Sequence, residues 1–486
     1  VADLRDRIHG DFDGYGVSRG LHWYRADLRL HDNTALQALA TRVDQWLPVF
    51  ILDPRMISGA RAGLPRTRFL LDCLDRLRRK LEKRGVPLLL RTGRPEAVLP
   101  KLLHETGARI LSFNEDVTPF ARSRDASVES AVERSGAEVI KRLDRTVFRS
   151  SEIRTATGGA YAVYSPYRKS WRRLWQEQPR LPARSMRLPP PIPGFGADPV
   201  PRSFRLGLGD GDRTLPTGGE AAARRRLDRF LATAAGSYCE NRDRPDLDGT
   251  SRLSPYIRHG AISVRHCFAR AEEAARDDPR LARGIEKWLD ELIWREFYSA
   301  IVEEHPRVLR GNHRREFDSL SWNHDEAGFE AWCEGRTGYP IVDAGLRQLR
   351  STGWMHNRVR MIVASFLTKD LLIDWREGER FFFEHLVDGD PASNNGGWQW
   401  AASTGSDAQP YFRIFNPVAQ GKRWDPEGRY VRRWIPELRE LPDQQVHEPW
   451  QSSHASEYPP PIVDHAERRI QALERFKGAR DAGARP

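Results

Sequence analysis

The run from Trp354 to Trp400 gathers residue types that do chemistry. Trp354, Asn357, Arg358 and Met361 fall at i, i+3, i+4 and i+7, so on a helix they share one face. The apolar residues that follow, Ile362, Val363, Phe366, Leu367, Leu371 and Leu372, extend the pattern into one long buried helix. After Phe381, Phe382 and Phe383 comes a dense mixture of Asp388, Asp390, Asn394, Asn395, Gly396, Gly397, Trp398 and Trp400. Acids and amides beside permissive glycines and indoles suit a flat ligand with polar edges better than a plain core. The Asp388–Asp390 loop is not a calcium site, because its sixth position is Ser393 and its twelfth is Gln399.

A second constellation lies on a helix expected over 281–304. Glu291, Trp294, Arg295 and Tyr298 form one stripe with Trp288 a turn earlier, so a carboxylate and an indole project side by side. Indoles on a stripe are ordinary core packing, whereas a carboxylate among them needs a partner or an open cleft. The loop Thr250, Ser251, Arg252, Leu253, Ser254 opens a helix at Pro255; its hydroxyls and free N–H groups suit a phosphate, or simply cap the helix. Ten of the fifteen tryptophans lie between Trp288 and Trp434, a concentration that points to stacking or redox work.

These residues need elements to position them. From Gly20, apolar runs 21–24, 46–52, 86–90, 109–113 and 138–140 alternate with helical patterns starting at Asn33 and over 66–83, 95–105 and 119–134. That alternation predicts a doubly wound, Rossmann-like parallel sheet covered on both faces. Asn114, Glu115 and Asp116 follow one strand at its ligand-binding end. Neither a GxGxxG nor a GxxxxGK[ST] motif occurs in this half. Nine prolines between Gln176 and Glu220 mark a long connection, and the pattern beyond it is helical. The expected organisation is an extension over 1–19, an α/β domain over 20–150, a linker over 151–219, an all-α domain over 220–450 and a tail over 451–486.

Lys plus Arg number 78 against 67 acids, a net charge of +11, which fits either a polyanionic partner or a solvated basic surface. Cys73, Cys239, Cys267 and Cys333 are scattered, which argues against a disulfide framework or zinc site, and no metal is expected. The chain lacks a run of about 18 apolar residues, and its first twenty residues lack a signal-peptide core; a soluble, cytoplasmic monomer without a membrane partner is expected.

The runs TGWMHNRVRM (352–361), DWREGERFF (374–382) and DGDPASNNGGWQWAASTGSDAQPYFRIFNPVAQG (388–421) resemble the photolyase and cryptochrome family, specifically its class I cyclobutane pyrimidine dimer photolyases. YRADLRLHDN (24–33) resembles the family's first strand and turn, and ELIWREFY (291–298) its lesion-pocket helix. The resemblance spans about residues 20–450 and implies light-dependent repair of pyrimidine dimers in UV-damaged DNA by an enzyme that binds FAD in its helical domain. It assigns FAD to Tyr238, Thr250, Ser251, Arg252, Leu253, Ser254, Trp288, Arg295, Asn357, Arg360, Asp388, Asp390 and Asn394, with Asn394 beside flavin N5 and Asp388 paired to Arg360. It assigns dimer stacking to Trp294 and Trp400, hydrogen bonding to Glu291 and Asn357, and packing to Met361. Trp398, Trp375 and Trp322 match the chain that reduces the flavin, and Arg168, Arg242, Arg358 and Arg413 match positions that touch DNA phosphates.

Two other readings of the resemblance stay open. A cryptochrome-type photoreceptor would not require the set Glu291, Trp294, Asn357, Met361 and Trp400, and a (6-4) photolyase would carry histidines where Asn357 and Met361 stand. The resemblance also implies an antenna chromophore in the α/β half. Asp116 favours 8-hydroxy-5-deazaflavin, Glu115 could serve methenyltetrahydrofolate, and FMN or an empty site are further alternatives.

Overall fold

Five strands, Arg19–Tyr24 (β1), Gln45–Leu52 (β2), Leu89–Thr92 (β3), Ile110–Asn114 (β4) and Glu138–Arg142 (β5), form a parallel sheet in the order β3-β2-β1-β4-β5. This is a computed structural model that describes residues 17–57, 62–183, 186–206, 213–452 and 457–483. The first sixteen residues of the expected extension therefore lie outside the described residues. The inner strands are buried and largely apolar, with His22 and Ser112 paired to each other between β1 and β4 (2.9 Å), because crossover helices cover both faces, among them Thr34–Ala40, Leu64–Glu82, Pro95–Thr106 and Pro119–Arg134.

One strand is displaced from its expected place. The apolar run 86–90 was the sequence signal, but pairing with β2 starts only at Leu89. Val86 and Leu88 are buried in the approach from the Gly85 turn. The approach and the strand are held by the linker, where Asp198 N–H donates to Leu88 O (3.0 Å) and the Asp198 carboxylate accepts from Leu90 N (2.8 Å). The proline run also docks on the sheet: Trp46 N donates to Pro190 O and Ile192 N to Trp46 O.

The region expected as linker carries a helix, Tyr164–Glu177, that buries Tyr164, Tyr167, Trp171 and Trp175 along one side. It packs on the long helix Ala282–Glu304. The remaining helices that bear on the site are Asn357–Ser365, Trp375–His385 and Pro391–Ala401. The expected long helix from Trp354 is broken: it starts at Asn357, capped by the His356 side chain, and passes into a π-helical turn over Phe366–Asp370. Trp354 thus precedes the helix it was expected to share with Met361. The tail carries a further helix, His465–Gly483, whose Ala472 and Phe476 are buried. No helix among the described residues is long and apolar enough to cross a membrane.

Two large hydrophobic clusters meet in the helical half. One includes Trp288, Ile293 and Phe297 with Trp294 and Tyr298 against it; the other includes Trp332, Trp375 and Trp398 with Trp400 and Trp322 against it.

Candidate functional site

Several candidate side chains that are half-buried lie on helices that pack across the seam between those clusters. Glu291 and Trp294 on the helix Ala282–Glu304, Met361 on Asn357–Ser365 and Trp400 on Pro391–Ala401 are all partly exposed, while Leu292, Ile293, Ile362, Val363, Trp398 and Gln399 beside them are buried. The helix Pro391–Ala401 packs on both of the others. Its approach to Ala282–Glu304 depends on Gly396, where a Cβ would overlap the Tyr298 ring, and its approach to Trp375–His385 depends on Gly378, which leaves room for the Trp398 ring.

Trp294 is held from behind. Tyr164, from the helix in the linker, stacks on it at 3.6 Å between ring centroids and 10° between planes, and its hydroxyl donates to Asp290 O (2.7 Å). Sequence reasoning missed Tyr164 because nothing local connects it to Trp294.

A chain of alternating charges crosses the mouth. Arg242 pairs with Glu291, Asp243 lies beside Arg242, and Arg358 donates to Asp243 (3.1 Å) while lying over the Trp424 ring (4.7 Å). Burial works against the Arg242 charge, but Glu291 outweighs it and holds the guanidinium above its usual range. Arg168 pairs with Asp290 (2.7 Å), and Arg413 is exposed. Asn357 is exposed and its amide meets Met361 Sδ at 3.8 Å.

Most of the residues that the resemblance assigns to FAD are buried or half-buried, Ser254 and Asn357 being exposed. Arg360 and Asp388 form a pair (2.9 Å). Asp390 caps the helix Pro391–Ala401, accepting from Ala392 N (3.1 Å) and Ser393 N (3.0 Å), and it also pairs with Arg145. Burial alone would raise the Asp390 carboxyl, yet Arg145, Arg258 and Arg295 hold it down at about 2. Burial lowers the Arg295 guanidinium to about 10; it donates to Arg145 O (2.8 Å). Asn394 is buried and donates to Glu379 O (2.9 Å). Tyr238, Leu253 and Trp288 are buried, and Trp288 Nε1 donates to Ser251 Oγ (3.1 Å). Thr250 is half-buried, Ser254 is exposed, and Arg252 lies over the Trp354 ring (4.8 Å).

This set fits an anionic, flat cofactor. Arg252 has a left-handed backbone, φ 48°, and its buried Nε has no protein partner. The buried His356 Nε2, a turn from Arg360, has none either. Such groups cost free energy unless a ligand takes them up.

Trp398 and Trp375 are fully buried and Trp322 half-buried. Trp398 meets Phe382 (4.9 Å) and Trp332 (6.1 Å), Trp375 Nε1 donates to Asn312 Oδ1 (2.9 Å), and Trp322 meets Phe476 (6.1 Å). Trp332 is a further aromatic of this cluster that the motifs did not single out.

Toward the α/β half, Asp116 and Glu115 are each engaged from the segment after β5: Arg145 pairs with Asp116 (3.0 Å) and Arg149 with Glu115 (2.6 Å). A cavity of about 390 Å³ lined by Asp32, Thr34, Leu143, Arg180 and Arg265 lies between the α/β domain and the linker, and none of its lining residues belongs to the site.

Glu296 positions that same segment. It accepts from Val147 N (2.6 Å) and Trp171 Nε1 (2.8 Å), and burial outweighs these bonds to push its carboxyl up to about 7. A raised carboxyl destabilises the fold as pH rises from the unfolded value near 4.5 through 7, by about 3 kcal/mol in total. Glu296→Gln is expected to remove most of that slope in urea unfolding measured at pH 5 and pH 8; an unchanged slope would show that Glu296 does not titrate in this range.

The family model described as the FAD binding domain of DNA photolyase matches residues 288–478, and the one described as DNA photolyase matches residues 20–186. A deoxyribodipyrimidine photo-lyase from Halobacterium salinarum is 41% identical, covering 95% of this chain and 99% of the relative. The crystal structure of a class III photolyase from Agrobacterium tumefaciens superimposes with a TM-score of 0.87 at 36% identity, covering 98% of this chain and 100% of that one. An archaeal photolyase from Sulfolobus tokodaii, whose structure holds two FAD molecules, superimposes with a TM-score of 0.80 at 34% identity over 95% of this chain and all of its own.

Proposed function

The chain belongs to the DNA photolyase family, and from that premise we propose that it acts as a deoxyribodipyrimidine photo-lyase, splitting cyclobutane pyrimidine dimers in UV-damaged DNA under blue light. Four half-buried side chains from three helices at one seam, Glu291, Trp294, Met361 and Trp400, carry the reading. Reduced FAD supplies the light-driven electron that no amino-acid side chain delivers readily. Tyr238, the loop 250–254, Trp288, Arg295, Asn357, Arg360, Asp388, Asp390 and Asn394 are the residues proposed to hold it.

Photolyases are a standing example of enzymes that take their target out of the base stack. In this chain the indoles of Trp294 and Trp400 would grip the extruded dimer, each stacked base contributing about 1–3 kcal/mol. The preference for a cyclobutane dimer over a (6-4) product would rest on Asn357 and Met361 as hydrogen-bonding and packing partners. Arg168, Arg242, Arg358 and Arg413 would contact phosphates, so binding should weaken with salt. The pairing of Arg242 with Glu291 makes the two coupled: a phosphate that draws Arg242 away frees the carboxylate for a pyrimidine. Trp398, Trp375 and Trp322, with Trp332 alongside, are the proposed route for electrons that reduce the flavin.

The test is to reduce the purified protein, illuminate it with a dimer-containing oligonucleotide and count dimers. Flavin absorption without loss of dimers under blue light would favour a photoreceptor instead. Glu291→Ala is expected to keep FAD and dimer binding while lowering repair per absorbed photon about tenfold, the size of one lost hydrogen bond from a pyrimidine N–H to the carboxylate in the reacting state. Unchanged repair would remove Glu291 from the site.

We also propose an antenna chromophore in the α/β half, near Glu115 and Asp116. Deazaflavin is preferred to folate on Asp116, and a second FAD is the alternative raised by the archaeal relative. The absorption spectrum of the purified protein decides among them.

A further inference from the structure

Lys369 is fully buried, yet no carboxylate among the described residues neutralises it. Its neighbour Asp370 is engaged by His465 instead. The Lys369 amine donates to Ala402 O (3.3 Å) and Ser403 Oγ (3.0 Å) and lies 3.3 Å from the centroid of the Phe476 ring. Burying an amine in this way costs free energy that packing alone does not require. Burial also drives the amine well below its usual range.

The two acceptors close the helix that bears Asn394, Trp398 and Trp400. Ser403 is a non-glycine residue in the left-handed region, φ 65°, which costs about 1–2 kcal/mol for such a residue. The turn is bound back to Trp400, whose carbonyl accepts from Ser403 N (3.2 Å) and Gln409 N (3.3 Å). Lys369 itself sits in the π-helical turn Phe366–Asp370, and the extra residue in that turn resets its direction relative to a regular helix. The same chain segment carries Asn357, Arg360 and Met361 two to three turns earlier. The amine is therefore a strut between the two helices whose side chains meet at the seam.

We propose that Lys369 is a positioning residue for dimer recognition: by holding the left-handed turn at Ser403 it sets the orientation of Trp400 against Asn357 and Met361. The inference rests on the reading of Trp400 as a lesion-stacking residue. The lysine is fully buried against Ala402, Ser403 and Phe476, and its effect runs through the turn alone.

The test uses the full chain loaded with FAD, at a temperature where every variant retains its flavin. The readout is the affinity for a duplex carrying one cyclobutane dimer divided by that for the same duplex undamaged. Lys369→Met is expected to lower this ratio about tenfold, part of one stacked base, with FAD content and repair per photon in the saturated complex unchanged. Lys369→Met/Ser403→Gly is expected to regain most of the loss, because glycine adopts the left-handed turn unaided. A parental ratio in Lys369→Met, or a loss that Ser403→Gly does not reverse, overturns the proposal. Should Lys369→Met not yield folded holoprotein, Ser403→Val with Lys369 intact strains the same turn; it is expected to lower the ratio equally, and an unchanged ratio overturns the proposal. A parent protein that does not prefer dimer DNA at all sinks the pocket reading first, and this inference with it.

Discussion

Arg145→Met is expected to lower the unfolding free energy by about 3–5 kcal/mol, the usual cost of removing one partner from a buried ionic cluster. Arg145 is buried between two carboxylates, Asp116 at the end of β4 and Asp390 at the start of the helix Pro391–Ala401, and its carbonyl accepts from Arg295. Methionine fills a comparable volume but leaves two buried carboxylates facing each other's field. Arg258, 3.9 Å from Asp390, acts on both carboxylates but only partly replaces the charge of Arg145, which comes first among the arginines that hold each of them down. Asp390 is held down at about 2 chiefly by Arg145 against the cost of burial, so without Arg145 its carboxyl should rise. The sign follows from linkage: a depressed carboxyl contributes stability above its unfolded value near 4 that is lost as pH falls toward 2. The variant should therefore lose stability mainly at neutral pH and converge on the parent in acid. Urea midpoints at pH 7 and pH 3, with flavin retained through gel filtration as a second readout, measure this. Equal losses at both pH values would mean that Arg145 acts by packing and not by charge. Adding Asp116→Asn to Arg145→Met should recover part of the loss at pH 7.

The bridge made by Arg145 shows where sequence reading stops. Asp390 was picked out by its motif and Asp116 by its place after a strand, but the arginine that joins them stands 245 residues from one and 29 from the other. Among 78 basic residues it carries no local mark. Tyr164 is hidden for the same reason: its helix has an apolar stripe of Tyr164, Tyr167, Trp171 and Trp175, but nothing in that stripe points to Trp294. The parallel sheet, by contrast, was legible because strands buried on both faces must be largely apolar, and crossover helices must be amphipathic. The boundary of β3 was not, because Val86 and Leu88 are buried by the approaching chain and the linker rather than by pairing. Lys369 stands between Thr368 and Asp370 in an otherwise apolar run and carries no mark of its own in the sequence; its partners Ala402 and Ser403 come from a distant turn.

Gly260→Ala is the second large effect expected, and Gly85→Ala separates its causes. Both glycines are left-handed, φ 63° and 71°. A Cβ at Gly85 would meet open space, so alanine there costs only the conformational penalty of about 1–2 kcal/mol. A Cβ at Gly260 would overlap the backbone of Ala26 and Asp27, the loop that leaves β1. Backbone cannot turn aside as a side-chain tip can, so overpacking adds about 1–3 kcal/mol. The contact joins the α/β domain to the helical domain: Leu28 N donates to His259 O (3.1 Å) and Arg29 Nη1 to Gly260 O (3.1 Å). The Arg29 guanidinium also bonds Asp144 (2.6 Å), one residue before Arg145. Alanine at 260 should therefore loosen the foot of the segment that clamps Asp390, and FAD retention should fall with stability. Gly85→Ala should lose stability alone. Denaturation midpoints and flavin content of the two variants side by side decide the matter: equal midpoints would mean that the domains yield freely at this contact, and a Gly260→Ala protein with full flavin would uncouple the domain junction from the cofactor site.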